Sequence, residues 1–208
     1  MALPARPYVA TTSDERDRDQ RVILYGVPWA QYEALLSIRG EGAGVRMTYL
    51  KGALELMSPS INHEAIKTLV ARLVEAYAEE EGLALNGYGS WTLRSQPKER
   101  GLEPDECYVL GTHEPDVPDL AIEVAYGRGG LDKLAVYEGL GVREVWVWFE
   151  GALDVYVLKA GGYERVAASE LLPGLDLALL LRFVDHRNQT ASVRAYRQAR
   201  RARDVAPG

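Results

Sequence analysis

The stretch DLAIEVAYGRGGLDKLAVYEGLGVREVWVWF, residues 119–149, decides the fold. Its two ends are apolar and rich in β-branched and aromatic residues, while its middle spaces apolar residues at helical intervals. The pattern predicts a strand over 119–125, a helix over about 131–140 and a strand over 142–149. The glycine-rich break GRGG (127–130) leads into the helix, and Gly141 ends it. A strand, a crossover helix and a second strand in one sheet imply a parallel pair with a right-handed connection. VREVWVWF is apolar almost throughout, as expected of a strand covered on both faces, so Trp146, Trp148 and Phe149 are expected in the core, with an interface as the alternative.

Working outward toward the N-terminus, the turn-forming run GTHEPDVP (111–118) separates this unit from a strand expected over 104–110 (PDECYVL). LALNGYGSWTLR (83–94) reads as a further strand. Before it, Ile66, Leu69, Val70, Leu73, Val74 and Tyr77 form an apolar helical stripe, with Ser60 as N-cap and Gly82 as terminator. The stripe projected back one turn sets Asn62 and His63 on the core side. MTYLKGALELMSP (47–59) is a hairpin turning at Lys51-Gly52, with Glu55 on the face of Ala53 and Met57. Pro28 opens a helix carried by Trp29, Tyr32, Leu35 and Leu36, which Gly40 ends. After residue 149, LDVYVLK and YERVA are two more strands, and LLPGLDLALLL closes the domain. The mixture of a meander with a crossover helix predicts a layered α/β fold with a mixed sheet.

The chain has 208 residues, enough for one domain with a substantial core. Residues 1–20 are expected to be a mobile leader, 21–185 the domain, and 186–208 a basic tail. From Arg182 onward there are seven arginines against two aspartates, although the whole chain carries a net charge of −6. That tail is expected to be a solvated, frayed end, with an electrostatic arm for phosphate as the alternative. The acidic body speaks against a protein that coats nucleic acid without specificity. No apolar run reaches the roughly 18 residues needed to span a bilayer, and the start carries no signal-like stretch, so a cytoplasmic location is expected. One cysteine, Cys107, allows no internal disulfide.

The motifs of common cofactor enzymes are missing: no GxGxxG after a strand, no phosphate-binding P-loop, no GxSxG, and no paired histidines among His63, His113 and His186. What remains is a pair of carboxylates on adjacent strands. Asp105 stands at a strand entrance behind Pro104. Glu123 lies inside an apolar strand, where an ionised group is costly unless paired or bound to metal. Two such groups would suit Mg²⁺, which takes one or two carboxylates, waters and substrate phosphate. On the residues alone, Glu123 equally fits a buried ion pair with Lys133 or an arginine, and Pro104-Asp105 an ordinary turn.

Taken together, GALELMSPSINHEAIKTLVARL (52–73), PDECYV (104–109), residues 117–148 and LLPGLDLALLL (171–181) resemble the Uma-type family of bacterial restriction endonucleases in the PD-(D/E)XK nuclease superfamily. The resemblance covers roughly residues 28–182 and implies a restriction-endonuclease-like αββαβ core, preceded by a helix and hairpin and followed by extra strands. It places the PD element at Pro104-Asp105 and the acidic element at Glu123. The lysine expected two residues after the glutamate is Ala125, and the resemblance offers Lys133 on the following helix in its stead. It implies metal-dependent cleavage of nucleic acid, DNA foremost, with Mg²⁺ or Mn²⁺ held by Asp105, Glu123 and the Val124 carbonyl. Lys133 would be the third catalytic group, Glu55 and His63 accessory groups, and the assembly a homodimer. The alternative is a nuclease-fold binding or regulatory protein without turnover, which Ala125 and the acidic body favour; a purely structural or toxin-neutralising interaction protein is a second rival.

Overall fold

The structure, a computed structural model, describes residues 18–40, 44–125 and 130–205, the last two without their side chains. The expected leader thus lies outside the described residues up to position 17, as does most of the GRGG break. The decisive unit forms as its pattern predicts. Strand β8 (Leu120–Ala125) and strand β9 (Glu144–Phe149) are parallel, with Glu123 opposite Val147, and helix α3 (Lys133–Leu140) connects them. Asp132 caps α3 by accepting a hydrogen bond from Ala135 N, and Gly141 ends it at φ +87°, a left-handed conformation that costs glycine nothing.

Alternation along β8 sends its residues to two different cores. Leu120, Ile122 and Val124 pack beneath the long helix α2 (Ile61–Glu81), while Ala121 meets Val136 and Tyr137 of α3. The sheet is therefore covered on both faces, which explains the near-continuous apolar character of β9. Strand β7 (Glu106–Leu110) runs antiparallel to β8 on its other side. In chain order α2, β7, β8, α3 and β9 make the expected αββαβ core. The mixed sheet is completed by β4 (Leu85–Gly87) beyond β7 and by β10 (Ala152–Lys159) and β11 (Gly162–Val166) beyond β9.

A second, antiparallel sheet carries the N-terminal half in the order β1-β3-β2-β6-β5, with β1 at Gln20–Tyr25, β5 at Leu93–Ser95 and β6 at Arg100–Leu102. Its centre is the hairpin of β2 (Arg46–Leu50) and β3 (Ala53–Ser58), which turns at Lys51 and Gly52 with positive φ at both, as a two-residue type I′ turn requires. Helix α1 (Trp29–Arg39) packs on this sheet, with Tyr32 stacked on Tyr49 at 4.9 Å.

Three expectations need correction. Residues 19 and 20 are part of the fold, because β1 (Gln20–Tyr25) pairs with β3, Gln20 facing Ser58, and the Asp19 side chain is buried. The single strand expected over 83–94 is two short strands in different sheets, β4 and β5 (Leu93–Ser95); the chain turns between them, with Gly89 at φ +60°, and β6 (Arg100–Leu102) returns beside β5. The basic tail is not frayed over the described residues 186–205. After the short helix α4 (Leu177–Leu181), helix α5 (Gln189–Val205) buries Tyr196 in the core beneath α2. Its arginines 197, 200 and 201 pair with Glu79, Glu80 and Glu81 at the end of α2, and Arg203 pairs with Asp176. Three consecutive glutamates at a helix C-terminus oppose the helix dipole, so they supply the acidic partner that the tail finds only in the folded chain.

Candidate active site

Asp105 is completely buried just ahead of β7. Pairing of β7 with β8 stops at Glu106 opposite Ile122, and beyond that point the Asp105 carboxylate replaces the strand: its Oδ2 accepts a hydrogen bond from Val124 N at 2.8 Å. The same oxygen lies 3.1 Å from Nε2 of His63, which the Ser60 cap places in the first turn of α2. The other oxygen, Oδ1, makes no hydrogen bond, although Nε of Arg46 stands 3.4 Å away. Arg46 is anchored from the far side by its bonds to Pro104 O and Glu64.

Glu123 is 3% exposed, and each of its oxygens has a donor from α3. Lys133 Nζ donates to Oε2 at 2.6 Å, and the Tyr137 hydroxyl makes a short hydrogen bond to Oε1. Lys133 and Tyr137 are four residues apart and so share one face of the helix. Glu55 of β3 accepts from Leu131 N at 2.8 Å, bracing the chain where it enters α3, and has Arg21 within 3.9 Å. A cleft of about 260 Å³ opens here, lined by Glu55, Glu123, Val124, Ala125 and Lys133. Ala125, where a lysine two residues after the glutamate would stand, faces this cleft and leaves room for the helix-borne ammonium.

The charges of these groups are set by one another. Burial raises the Glu123 carboxyl, and the Asp105 charge adds to it against the pull of Lys133, leaving it at about 7. Burial alone would also raise Asp105, but the cations Lys133, His63 and Arg46 hold it well below the usual carboxylate range. For His63, burial would favour the neutral ring, yet the carboxylates of Asp105 and Asp19 outweigh it and lift the imidazole to about 9. Lys133, which burial would discharge, is kept protonated by Glu123 and Asp105. Near neutrality the site thus holds one firmly ionised carboxylate, one poised to gain or lose a proton, and a ring of cations.

Of the residues expected from the sequence, Asp105, Glu123, Lys133 and Val124 come together, His63 touches Asp105, and Glu55 shares the cleft with Glu123. Three neighbours were missed. Tyr137 was legible from its spacing to Lys133; Arg46 gives no cue beyond opening a strand; Asp19 is hidden in a run of alternating charges. On the far side of Arg46 lies a groove of about 1020 Å³ that also presents Arg39, Lys67 and the aromatic pair Tyr88 and Trp91, whose rings are 5.6 Å apart. Among the described residues, no three histidine, cysteine, aspartate or glutamate side chains form a metal cage.

No curated protein matches this chain. A solved structure described as that of a putative nuclease belonging to DUF820, from Anabaena variabilis, is similar at 14% identity; the match covers 71% of this chain and 90% of that one, with a TM-score of 0.47. The family model Uma2, described as "Putative restriction endonuclease", matches residues 29–186. That span holds both carboxylates, the lysine, the helix that delivers it and the sheet beneath them, and the chain belongs to the Uma2 family.

Proposed function

We propose that the protein is a metal-dependent endonuclease that hydrolyses phosphodiester bonds in nucleic acid, with DNA as its substrate. The observation that carries the reading is the meeting of Asp105, Glu123 and Lys133 at one end of β8, with Asp105 Oδ1 buried and lacking a hydrogen bond. A buried acceptor without a hydrogen bond is costly, and with Arg46 Nε no nearer than 3.4 Å a bound cation would complete it. The donors gathered here are hard oxygens, which suit Mg²⁺ or Mn²⁺ better than a softer ion. Asp105, Glu123 and the Val124 carbonyl would hold the ion. When bound, the ion supplies positive charge against the scissile phosphate and makes water a better nucleophile.

The chain's own groups do the rest. Lys133 leaves Glu123 Oε2 free by turning toward the attacking water and the phosphate oxygens, where its charge opposes the negative charge that builds in the transition state. Tyr137 keeps the other Glu123 oxygen in place. Water adds to phosphorus, one P–O ester bond breaks, and the leaving oxygen takes up a proton. The larger groove sets Arg39, Arg46 and Lys67, paired there with Glu103 and Glu64, beside Tyr88 and Trp91, which offer ring faces for bases. Cutting both strands of a duplex with one small site per chain calls for a two-fold dimer.

The second reading, a nuclease-fold binding protein without turnover, is favoured by one observation: both Glu123 oxygens are already occupied, one by Lys133 itself. Incubation with plasmid DNA and with single-stranded oligonucleotides in Mg²⁺ or Mn²⁺ separates the two. The nuclease reading expects cleavage that Glu123→Gln abolishes and Lys133→Met slows by about 10²–10³-fold, the cost of losing one transition-state donor. Cleavage that survives Glu123→Gln, or no cleavage of any substrate, overturns it. Absence of calorimetric Mn²⁺ binding at millimolar concentration would favour the binding protein.

A further inference from the structure

Asp19 lies ahead of β1 and outside residues 29–186, the span the family model matches. Its side chain is nonetheless 1% exposed, and both oxygens are engaged. Oδ1 accepts a hydrogen bond from Ser60 N at 2.8 Å, and Oδ2 lies 3.0 Å from Nδ1 of His63, whose side chain is fully buried. The opposite ring nitrogen, Nε2, is 3.1 Å from Asp105 Oδ2. An ionised carboxylate can only accept, so each ring nitrogen that faces one carries a proton. The imidazole is thereby fixed between two carboxylates, 19 on one side and 105 on the other.

This arrangement sorts the two oxygens of Asp105. Oδ2 accepts the hydrogen bond from Val124 N and is in ion-pair contact with the imidazole at 3.1 Å, while Oδ1 makes no hydrogen bond and has Arg46 Nε 3.4 Å away. We propose that Asp19 is a positioning residue of the catalytic centre: by fixing the ring of His63 it fixes the Asp105 carboxylate, whose Oδ1 would be the oxygen left to hold an ion. The inference rests on the nuclease reading for what Asp105 holds, but the chain of contacts stands on the geometry. It also gives the three-residue spacing of Ser60 and His63 a physical purpose. Ser60 Oγ caps α2 by accepting from His63 N, and Ser60 N reaches back to Asp19, so one turn of chain aligns cap, ring and remote carboxylate. Groups of this sort, bonded to a ligand rather than to the ion, typically contribute about 10–100-fold to metal affinity.

The test uses the full chain and three variants. In Asp19→Ala the proposal expects Mn²⁺ affinity, by calorimetry, to fall about 10–100-fold, and kcat to fall while KM for the oligonucleotide stays unchanged. In Asp19→Asn an acceptor remains for Ser60 N, but the amide presents a donor to the ring; the ¹⁵N resonances of His63 in the metal-free protein should show Nδ1 without its proton, and Mn²⁺ affinity should lie between wild type and Asp19→Ala. This variant keeps the inference testable should the alanine variant not fold. Asp19→Glu, which retains the carboxylate, should recover part of the affinity. Wild-type Mn²⁺ affinity and kcat in Asp19→Ala, or His63 resonances unmoved by Asp19→Asn, would overturn the inference and leave the nuclease reading standing. If the wild-type protein itself binds no Mn²⁺, the nuclease reading falls and this inference with it.

Discussion

Glu123 and His63 are held in the charge states their surroundings impose, and those states make the metal-free protein sensitive to pH. The Glu123 carboxyl is raised from 4.5 to about 7, so the fold favours its neutral form; that contribution is fully present below about 4.5 and is lost as pH rises through 7. The His63 imidazole is raised from 6.5 to about 9, so its contribution is fully present below 6.5 and is lost as pH rises through 9. Both losses run the same way. Thermal unfolding of the protein in chelator should therefore show Tm falling steadily from about pH 5 to 9. Glu123→Gln should flatten the lower part of that slope and His63→Asn the upper part; a Tm that rises across the range would contradict the assignment. Asp105 acts in the opposite sense and only in acid, since its depressed carboxyl loses its contribution as pH falls below the usual carboxylate range. At this scale the sequence was informative about identity and offered Lys133 as an ion-pair partner of Glu123, a pair the structure shows, but it was silent about the partners of Asp105. Glu123 stood out because a carboxylate in an apolar strand needs an explanation, whereas Asp105 had no such contrast around it, and the donors that hold them come from residues 42 and 59 positions away for one and 10 and 14 for the other.

Helix α2 is the element that turns local sequence into site geometry. Its stripe at i, i+3, i+4 and i+7 buries Ile66, Leu69, Val70 and Leu73 against β8, and its cap sets where the first turn begins. Because Ser60 Oγ accepts from His63 N at 3.1 Å, the cap and the site share a residue. Ser60→Ala should cost about 1 kcal/mol, the usual worth of such a cap, which for a chain of this size lowers Tm by roughly 2–4 °C. Differential scanning calorimetry checks it, and an unchanged Tm would mean that another group caps the helix. Helices and strands with strong periodicity were legible: α1, α2, α3, β8, β9 and the β2–β3 hairpin all stand where the pattern sets them. Elements of three residues were not. β4, β5 and β6 are too short to show alternation, so 83–94 reads as one strand although a turn sends its two ends to different sheets.

The whole molecule is closed by α5, and the way it docks separates apolar packing from charge. Tyr196 is 1% exposed and packs edge-on against Phe183 at 5.8 Å, whereas most of the arginine pairs lie at the surface. Tyr196→Ala should destabilise the protein by about 3–5 kcal/mol, as for other large aromatics removed from a core. Tyr196→Phe should be close to neutral, because the hydroxyl has no hydrogen-bond partner. Replacing Glu79, Glu80 and Glu81 singly by glutamine should cost less than about 1 kcal/mol each. Urea unfolding measures all of these, and a triple glutamine variant as unstable as Tyr196→Ala would show that charge rather than packing holds the helix. None of the helices among the described residues is long and apolar enough to cross a membrane. The sequence by itself determined the main helices, the parallel crossover and the candidate carboxylates, because periodicity, capping and the cost of burying charge are local properties; the αββαβ order came from the family resemblance. Only the tertiary structure decided that Lys133 reaches Glu123, that Asp19 reaches His63 and that the basic end docks on an acidic helix terminus. Each of those contacts joins residues whose encounter depends on how sheets and helices stack, and stacking leaves no period in the chain.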